Sequence, residues 1–248
     1  MLAAWLGAAL VGLSLGLLGS GGSILTVPVL VFLAGRDERT AVTEALAIVA
    51  AISAVGALVQ LRRGCVDGRW AMSLVGPGLL GAWLGAGLHR VVPERVTAAS
   101  FALLVVVAGV ELLRRAGSAP VPVARVRPAL ALLAGLGVGV LTGFLGVGGG
   151  FLVVPVLVLL ARLPLERASA TSLVVIATNA LAGLAGHVLG PDAARVDLGL
   201  VAIFASVGIA GSLVGLGLAP RLPVRALQRG FAGLLFVVGA AVVASLSG

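Results

Sequence analysis

Long apolar runs, broken by short charged clusters, set the pattern of this chain. The runs cover residues 2–34, 41–61, 70–89, 97–113, 129–161, 168–189, 197–219 and 226–246. Arg36, Asp37, Glu38 and Arg39 interrupt the first gap, Arg62 and Arg63 the second, and Arg90, Arg114, Arg115, Arg162, Asp192 and Arg221 the later ones. About 20 apolar residues span a bilayer as a helix. The pattern therefore predicts an all-α polytopic membrane protein of eight hydrophobic segments. The longest polar connection, 116–128, carries Pro120, Pro122, Arg125, Arg127 and Pro128. It divides the chain into a first transmembrane repeat at 1–115, an inter-repeat loop at 116–128 and a second repeat at 129–248.

The halves resemble each other. An offset of 127 aligns Gly12–Ala34 with Gly139–Ala161, with 14 identities in 23 positions. An offset of 130 aligns Gly81–Gly109 with Gly211–Gly239, with 11 identities in 29. Two blocks in the same order point to an internal duplication, a frequent feature of transporters. Gly81 and Gly85, with Gly211 and Gly215, have the small-xxx-small spacing that packs helices closely in lipid.

The first segment of each half is 33 residues long, too long for one simple span. A glycine cluster breaks each one: Gly19-Ser20-Gly21-Gly22-Ser23 and Gly146-Val147-Gly148-Gly149-Gly150, followed by Pro28 and Pro155. Glycine weakens helix and permits tight backbone turns. Each segment either crosses as a broken helix or turns back as a re-entrant hairpin. Arginine counting separates these. Eight plain crossings put 8 Arg on one side and 9 on the other. Re-entrant first segments invert the second half and give 12 against 5, the asymmetry expected of a bacterial inner-membrane protein. The expectation is inverted repeats, with both termini outside.

Composition narrows the class further. Hydrophobic residues make up 60% of the 248, charged residues only 10%, and mean hydropathy is +1.21. A soluble domain of this size cannot cover so much apolar surface, and disordered and fibrous chains are excluded with it. All 17 basic residues are Arg, and the net charge is +8. They sit in the gaps between apolar runs, where membrane topology accounts for them and no nucleic-acid partner is needed. One cysteine, Cys65, forbids an internal disulfide and a cysteine metal cluster. His89 and His187 lack metal-ligand spacing. The apolar N-terminus lacks the charged start and cleavage site of a signal peptide and reads as part of the mature protein.

The glycine clusters are the foremost candidate for chemistry. Non-helical backbone within a membrane survives only when buried in protein or lining a cavity. Free N–H groups at the start of a half-helix favour an anion. Two such turns meeting near the midplane could form one site. Thr43, Thr171, Ser172 and Asn179 are hydroxyl and amide groups within apolar segments, able to line that site or to bond a neighbouring helix. Glu44 is a candidate for proton coupling, since an intramembrane carboxylate is costly and functional by default. The competing reading places it at the interface beside Arg36 or Arg39. Gln60 and His187, at equivalent positions near segment ends, are expected at the interface.

The stretches Gly16–Ser23 through Pro28 and Gly143–Gly150 through Pro155 resemble the duplicated glycine motif of the TauE/SafE sulfite exporter family. Ala168-Ser169-Ala170-Thr171-Ser172-Leu173 is similar to the motif on the family's next helix. Chain length, segment number and duplication agree, so the resemblance covers essentially the whole chain. It implies movement of sulfite, sulfonates, thiosulfate or related small anions. The first half departs from the pattern, with Val42-Thr43-Glu44-Ala45 where the second has Ser169-Ala170-Thr171-Ser172.

Enzyme signatures are poor. Gly12-Leu13-Ser14-Leu15-Gly16 matches G-x-S-x-G by letter, but in an apolar helix with no strand-to-helix elbow. No Gly-Lys-Ser/Thr follows Gly19–Gly22, so there is no P-loop. No catalytic residue, cofactor or metal is expected. The expected function is a secondary permease for small sulfur anions, driven by protons or another gradient. Its rivals are a passive anion channel and an intramembrane enzyme or assembly factor. Its partners are a small anion and the bilayer, and glycine-rich faces permit a homodimer.

Overall fold

The computed structural model describes residues 2–88, 92–115, 128–145, 150–189 and 196–246. Regular structure among them is helical throughout: α1 (Leu2–Leu18), α2 (Gly21–Pro28), α3 (Glu38–Arg62), α4 (Gly68–Leu88), α5 (Glu94–Arg115), α6 (Pro128–Leu145), α7 (Gly150–Leu159), α8 (Leu165–Val188), α9 (Leu198–Leu218) and α10 (Val224–Leu246). A π-helical turn, Val29–Leu33, extends α2, and a 3-10 turn, Ala219–Arg221, extends α9. Among the described residues, α3, α4, α8 and α9 with its 3-10 turn are long and apolar enough to cross a membrane, while α1, α2 with its π turn and α6 are shorter apolar helices. Most of the inter-repeat loop and the second glycine cluster, Gly146, Val147, Gly148 and Gly149, lie outside the described residues.

Local chemistry sets the helix boundaries. Asp37, Asp67 and Asp197 begin α3, α4 and α9: their carboxylates accept the backbone N–H groups of Thr40, Trp70 and Leu200 at 3.0, 3.1 and 3.0 Å. An acidic cap satisfies an orphan N–H and suits the positive end of the helix dipole. Where the π turn and α7 finish, Arg36 N–H donates to Leu30 O at 3.0 Å and Leu163 N–H to Leu157 O at 3.1 Å. Each bond closes a seven-residue loop that passes through a left-handed residue just after the helix, as helix C-caps commonly do. Gly35 supplies it in the first half, with φ +67°, and Arg162 in the second, with φ +54°.

The chain reverses after α1. Gly19 adopts φ +74°, and α2 runs back along α1, so that Gly22 meets Val11 and Leu15 while Val29 and Leu33 reach Gly7. A side chain at Gly22 would strike the Val11 carbonyl, so this hairpin needs glycine there.

At the centre, α3 and α8 are largely buried and run antiparallel: Leu173 packs on Gly56, and Leu46 on Gly183. Around them, α1 lies parallel to α9, and α6 parallel to α4, at backbone contact distance. Gly12 faces the Gly208 carbonyl and Gly16 that of Ser212; Gly139 faces the Gly78 carbonyl and Gly143 that of Ala82. The two sets correspond under the repeat offsets. Gly81 and Gly85 pack on the backbone of α6, as Gly211 and Gly215 do on α1. The outer faces carry exposed Met72, Trp83, Leu84, Val107, Leu133 and Val237, an apolar surface that suits lipid.

Candidate functional site

The first glycine cluster is buried against α8. A Cβ at Gly19 would meet the backbone of Ser169. The Ser169 hydroxyl donates to Leu18 O at 2.9 Å, and the Ser172 hydroxyl lies 2.9 Å from Gly19 O and 2.8 Å from Ser169 O. Those bonds satisfy the carbonyls freed where α1 ends, a necessity for irregular backbone away from water. The N-terminus of α2 stays less complete. Ser20 caps it in position only: its hydroxyl is fully buried and has no hydrogen-bond partner among the described residues. Ser23 donates to Ser20 O at 2.8 Å. Gly21 and Gly22 are buried beside it. The structure thus brings Gly19–Ser23 and Ser172 together; Gly146, Gly148 and Gly149 lie outside the described residues, and Gly150 starts α7.

Thr171 points toward the end of α3. Its hydroxyl accepts the backbone N–H of Asp67 at 2.9 Å. Asn179 lies two turns further along α8, fully buried against Gly78, with neither amide atom hydrogen-bonded among the described residues. Thr43 and Glu44 stand at the opposite end of α3. The Thr43 hydroxyl donates to Arg39 O at 3.2 Å within its own helix. Glu44 is fully buried; its carboxylate accepts the Asp197 N–H at 3.1 Å and pairs with Arg36 Nε at 3.3 Å. Arg36 also binds the Asp197 carboxylate. Outside the spans, the Leu200 N–H and then Arg36 hold the Asp197 carboxyl below its usual range, and the Thr40 N–H does the same for Asp37.

Gln60 and His187, near the ends of α3 and α8, are both buried in the protein. His187 Nε2 lies 3.2 Å from Gly143 O, so the ring packs inward across α6. Two groups outside the expected site share the character of Ser20 and Asn179: the hydroxyls of Ser53 and Ser212 are buried and unpartnered among the described residues. Single serines in an apolar helix give no sequence signal, because serine bonds its own helix as readily as a ligand.

Comparison with known proteins assigns the chain a family. The family profile described as Sulfite exporter TauE/SafE matches residues 4–242. A "Probable membrane transporter protein" of Xylella fastidiosa (strain 9a5c) is 32% identical over 224 residues, covering 86% of this chain and 82% of the relative. A protein of the same description from Xylella fastidiosa (strain Temecula1 / ATCC 700964) is 32% identical over 225 residues, with the same coverage. A match across almost the whole chain, on a lipid-compatible helical fold with a buried glycine turn, identifies a membrane transporter that belongs to the sulfite exporter TauE/SafE family.

Proposed function

We propose that the chain is a multi-pass bacterial inner-membrane carrier, gradient-driven, for sulfite or small organosulfur anions such as sulfonates and thiosulfate. The observation that carries the reading is the buried turn at Gly19–Ser23. Its carbonyls are bound by Ser169 and Ser172, while the buried Ser20 hydroxyl at the start of α2 has no hydrogen-bond partner among the described residues. Such an end favours an anion. The family's description supports sulfite as the ligand class. The second cluster, Gly146–Gly150, with Thr171, Ser172 and Asn179, completes the proposed site; Thr43, at the opposite end of α3 and bonded to Arg39 O, does not belong to it.

The halves are read as inverted repeats. In support, the repeat-equivalent helices α3 and α8 run antiparallel, and the α1–α9 contacts recur as the α6–α4 contacts. A two-fold axis perpendicular to crossing helices lies in the membrane plane, the arrangement of alternating-access carriers. Glu44 is the proposed coupling residue, releasing Arg36 when it takes up a proton.

The test uses purified protein in liposomes with an imposed pH gradient, following charge movement and uptake of sulfite, thiosulfate, taurine, sulfoacetate and a plain dicarboxylate. Saturable uptake with counterflow of one sulfur anion is expected, and the Glu44→Gln variant should lose its proton dependence. Non-saturating flux would replace the carrier with a channel. Flat responses to every sulfur anion would remove the substrate class.

A further inference from the structure

A cavity of about 240 Å³ opens where α3 ends and α8 begins, with α1, α9 and the start of α10 around it. Its lining includes Gly16, Gln60, Arg63, Cys65, Glu166 and Ser169. Gln60 is only 8% exposed, and its side chain lines the cavity. An amide that faces a cavity offers both a donor and an acceptor to whatever fills it. Arg63 spends Nη1 on Leu216 O at 3.2 Å, which leaves its remaining donors for the cavity. Ser169 is committed to Leu18 O, and exposed Glu166 is the one opposing charge in the lining among the described residues.

The repeat supplies an internal comparison. The equivalents of Gln60 and Gly16 are His187 and Gly143, and there the side chain closes on the carbonyl at 3.2 Å. The same pair is in contact at one end of the bundle and held apart by a cavity at the other. Behind Gln60, Gly56 and Ser53 continue one face of α3 inward, at helical spacing. Ser212 stands beside Gly56, and the hydroxyls of Ser53 and Ser212 are both unpartnered. The equivalent positions in the other half are Gly183, Ala180 and Ala82, none with a polar side chain.

We propose that this cavity is a vestibular binding site for a sulfonate-type oxyanion, distinct from the glycine turn, with the Gln60 amide and the Arg63 guanidinium as its ligands. Ser212 and Ser53 extend the site inward as a one-sided polar path. The substrate class rests on the carrier reading; the site itself rests on the cavity, the Gln60 amide that lines it and the remaining Arg63 donors. Arginine suits a planar or tetrahedral oxyanion because its fork of donors matches the oxygens.

Cys65 lines the same cavity and is the chain's single cysteine, so it reports occupancy without engineering. The experiment measures the rate of N-ethylmaleimide modification of Cys65 in the full chain in liposomes. Methanesulfonate, taurine and sulfoacetate are titrated against chloride at equal ionic strength. An occupant that excludes the reagent slows labelling about tenfold at ten times its dissociation constant, by mass action. Gln60→Ala and Arg63→Gln should each remove most of that protection, and Glu166→Gln should increase it. Arg63 is exposed, so its variant tests the site even where Gln60→Ala fails to fold. Equal labelling rates with all three sulfonates, or protection that survives both variants, would overturn the site. Uptake without protection removes the vestibule and leaves the carrier; protection without uptake does the reverse.

Discussion

Glu44 accepts the backbone N–H of Asp197 at 3.1 Å across 153 residues of sequence. The repeat equivalent of this bond is Thr171 accepting the N–H of Asp67 at 2.9 Å. Each acceptor lies on a central helix, and each donor is the residue that caps a peripheral one. The two halves thus hold their peripheral helices by the same device, with a hydroxyl in one and a carboxylate in the other. Only the carboxylate recruits a cation, Arg36, which binds both Glu44 and Asp197.

Removing these acceptors should destabilise the protein unequally. Thr171→Ala orphans one backbone donor, a loss of about 1–2 kcal/mol. Glu44→Ala orphans the Asp197 donor and half of an ion pair, about 2–4 kcal/mol after allowing for the partial exposure of Arg36. Glu44→Thr should recover part of that by restoring a hydroxyl acceptor. Thermal unfolding in detergent orders the three. A Glu44→Ala midpoint as high as that of Thr171→Ala would show that the Arg36 pair contributes nothing.

Glycines at the parallel helix contacts should separate by sign. A methyl group at Gly12 meets the Gly208 carbonyl, and one at Gly139 meets that of Gly78. Both substitutions to Ala should cost about 1–3 kcal/mol, as overpacking does. At Gly87 and Gly137 nothing lies within 4 Å of an added Cβ. There Ala should be neutral or stabilising by up to about 1 kcal/mol through helix propensity. The same melts decide it, and a loss at Gly137→Ala would overturn the packing argument.

The apolar runs delimited the helices well, since charges and helix caps coincide: Asp37 and Asp197 announce α3 and α9 in the sequence itself. The glycine cluster at Gly19 also announces a break, and the reversal there rests on Gly22 packing against Val11 and Leu15. Which face of each helix is covered was not legible, because lipid and protein core are both apolar and one hydrophobic pattern serves for either. That ambiguity leaves unread that Gln60 and His187 are buried in the protein. It also hid Ser53 and Ser212, whose surroundings are set by helices far away in sequence. The Arg36–Glu44 pair was visible as a neighbourhood, but the third member, Asp197, belongs to the other half.

The helix-end closures give a prediction with opposite signs in the two halves. Arg162 holds the left-handed conformation that Gly35 holds at the equivalent position. A side chain there strains the backbone by about 1–2 kcal/mol. Arg162→Gly should therefore stabilise by about 0.5–1 kcal/mol, after the added freedom of the unfolded chain is deducted. Gly35→Ala should destabilise by about 1 kcal/mol through strain alone, because nothing surrounds its Cβ position. Chemical unfolding that moved both variants in one direction would contradict the shared closure.

Acid should weaken the caps of α3 and α9. The folded Asp197 carboxyl is depressed by the Leu200 N–H and by Arg36, and that of Asp37 by the Thr40 N–H. A depressed carboxyl stabilises the folded state fully above its unfolded value of about 3.9 and loses that contribution as pH falls through the folded value. Asp197→Asn and Asp37→Asn should thus melt below the wild type near pH 6, and the gap should shrink below about pH 4. Melting points across that range test it; a gap that stayed constant would mean that charge plays no part in either cap.

Membrane sidedness offers the sharpest test of the inverted arrangement. Arg36 binds Glu44 at the start of α3, while Thr171 binds Asp67 just beyond its end. The 25 residues of α3 rise about 37 Å between those points. The loop at 36–39 and the start of α8 therefore stand at opposite ends of one membrane-length helix. In a Cys65→Ser background, Arg39→Cys should react with an impermeant maleimide on intact cells. Arg167→Cys should react only after permeabilisation. Both residues are exposed, so accessibility reports sidedness and not burial. The arginine-rich end, with Arg62, Arg63, Arg162 and Arg167, then faces the cytoplasm, as positive-inside topology requires. If both cysteines label from outside, α3 does not cross, and the two-fold axis in the membrane plane goes with it. If the two label from opposite sides but reversed, the helices cross and the arginine bias has been read the wrong way round.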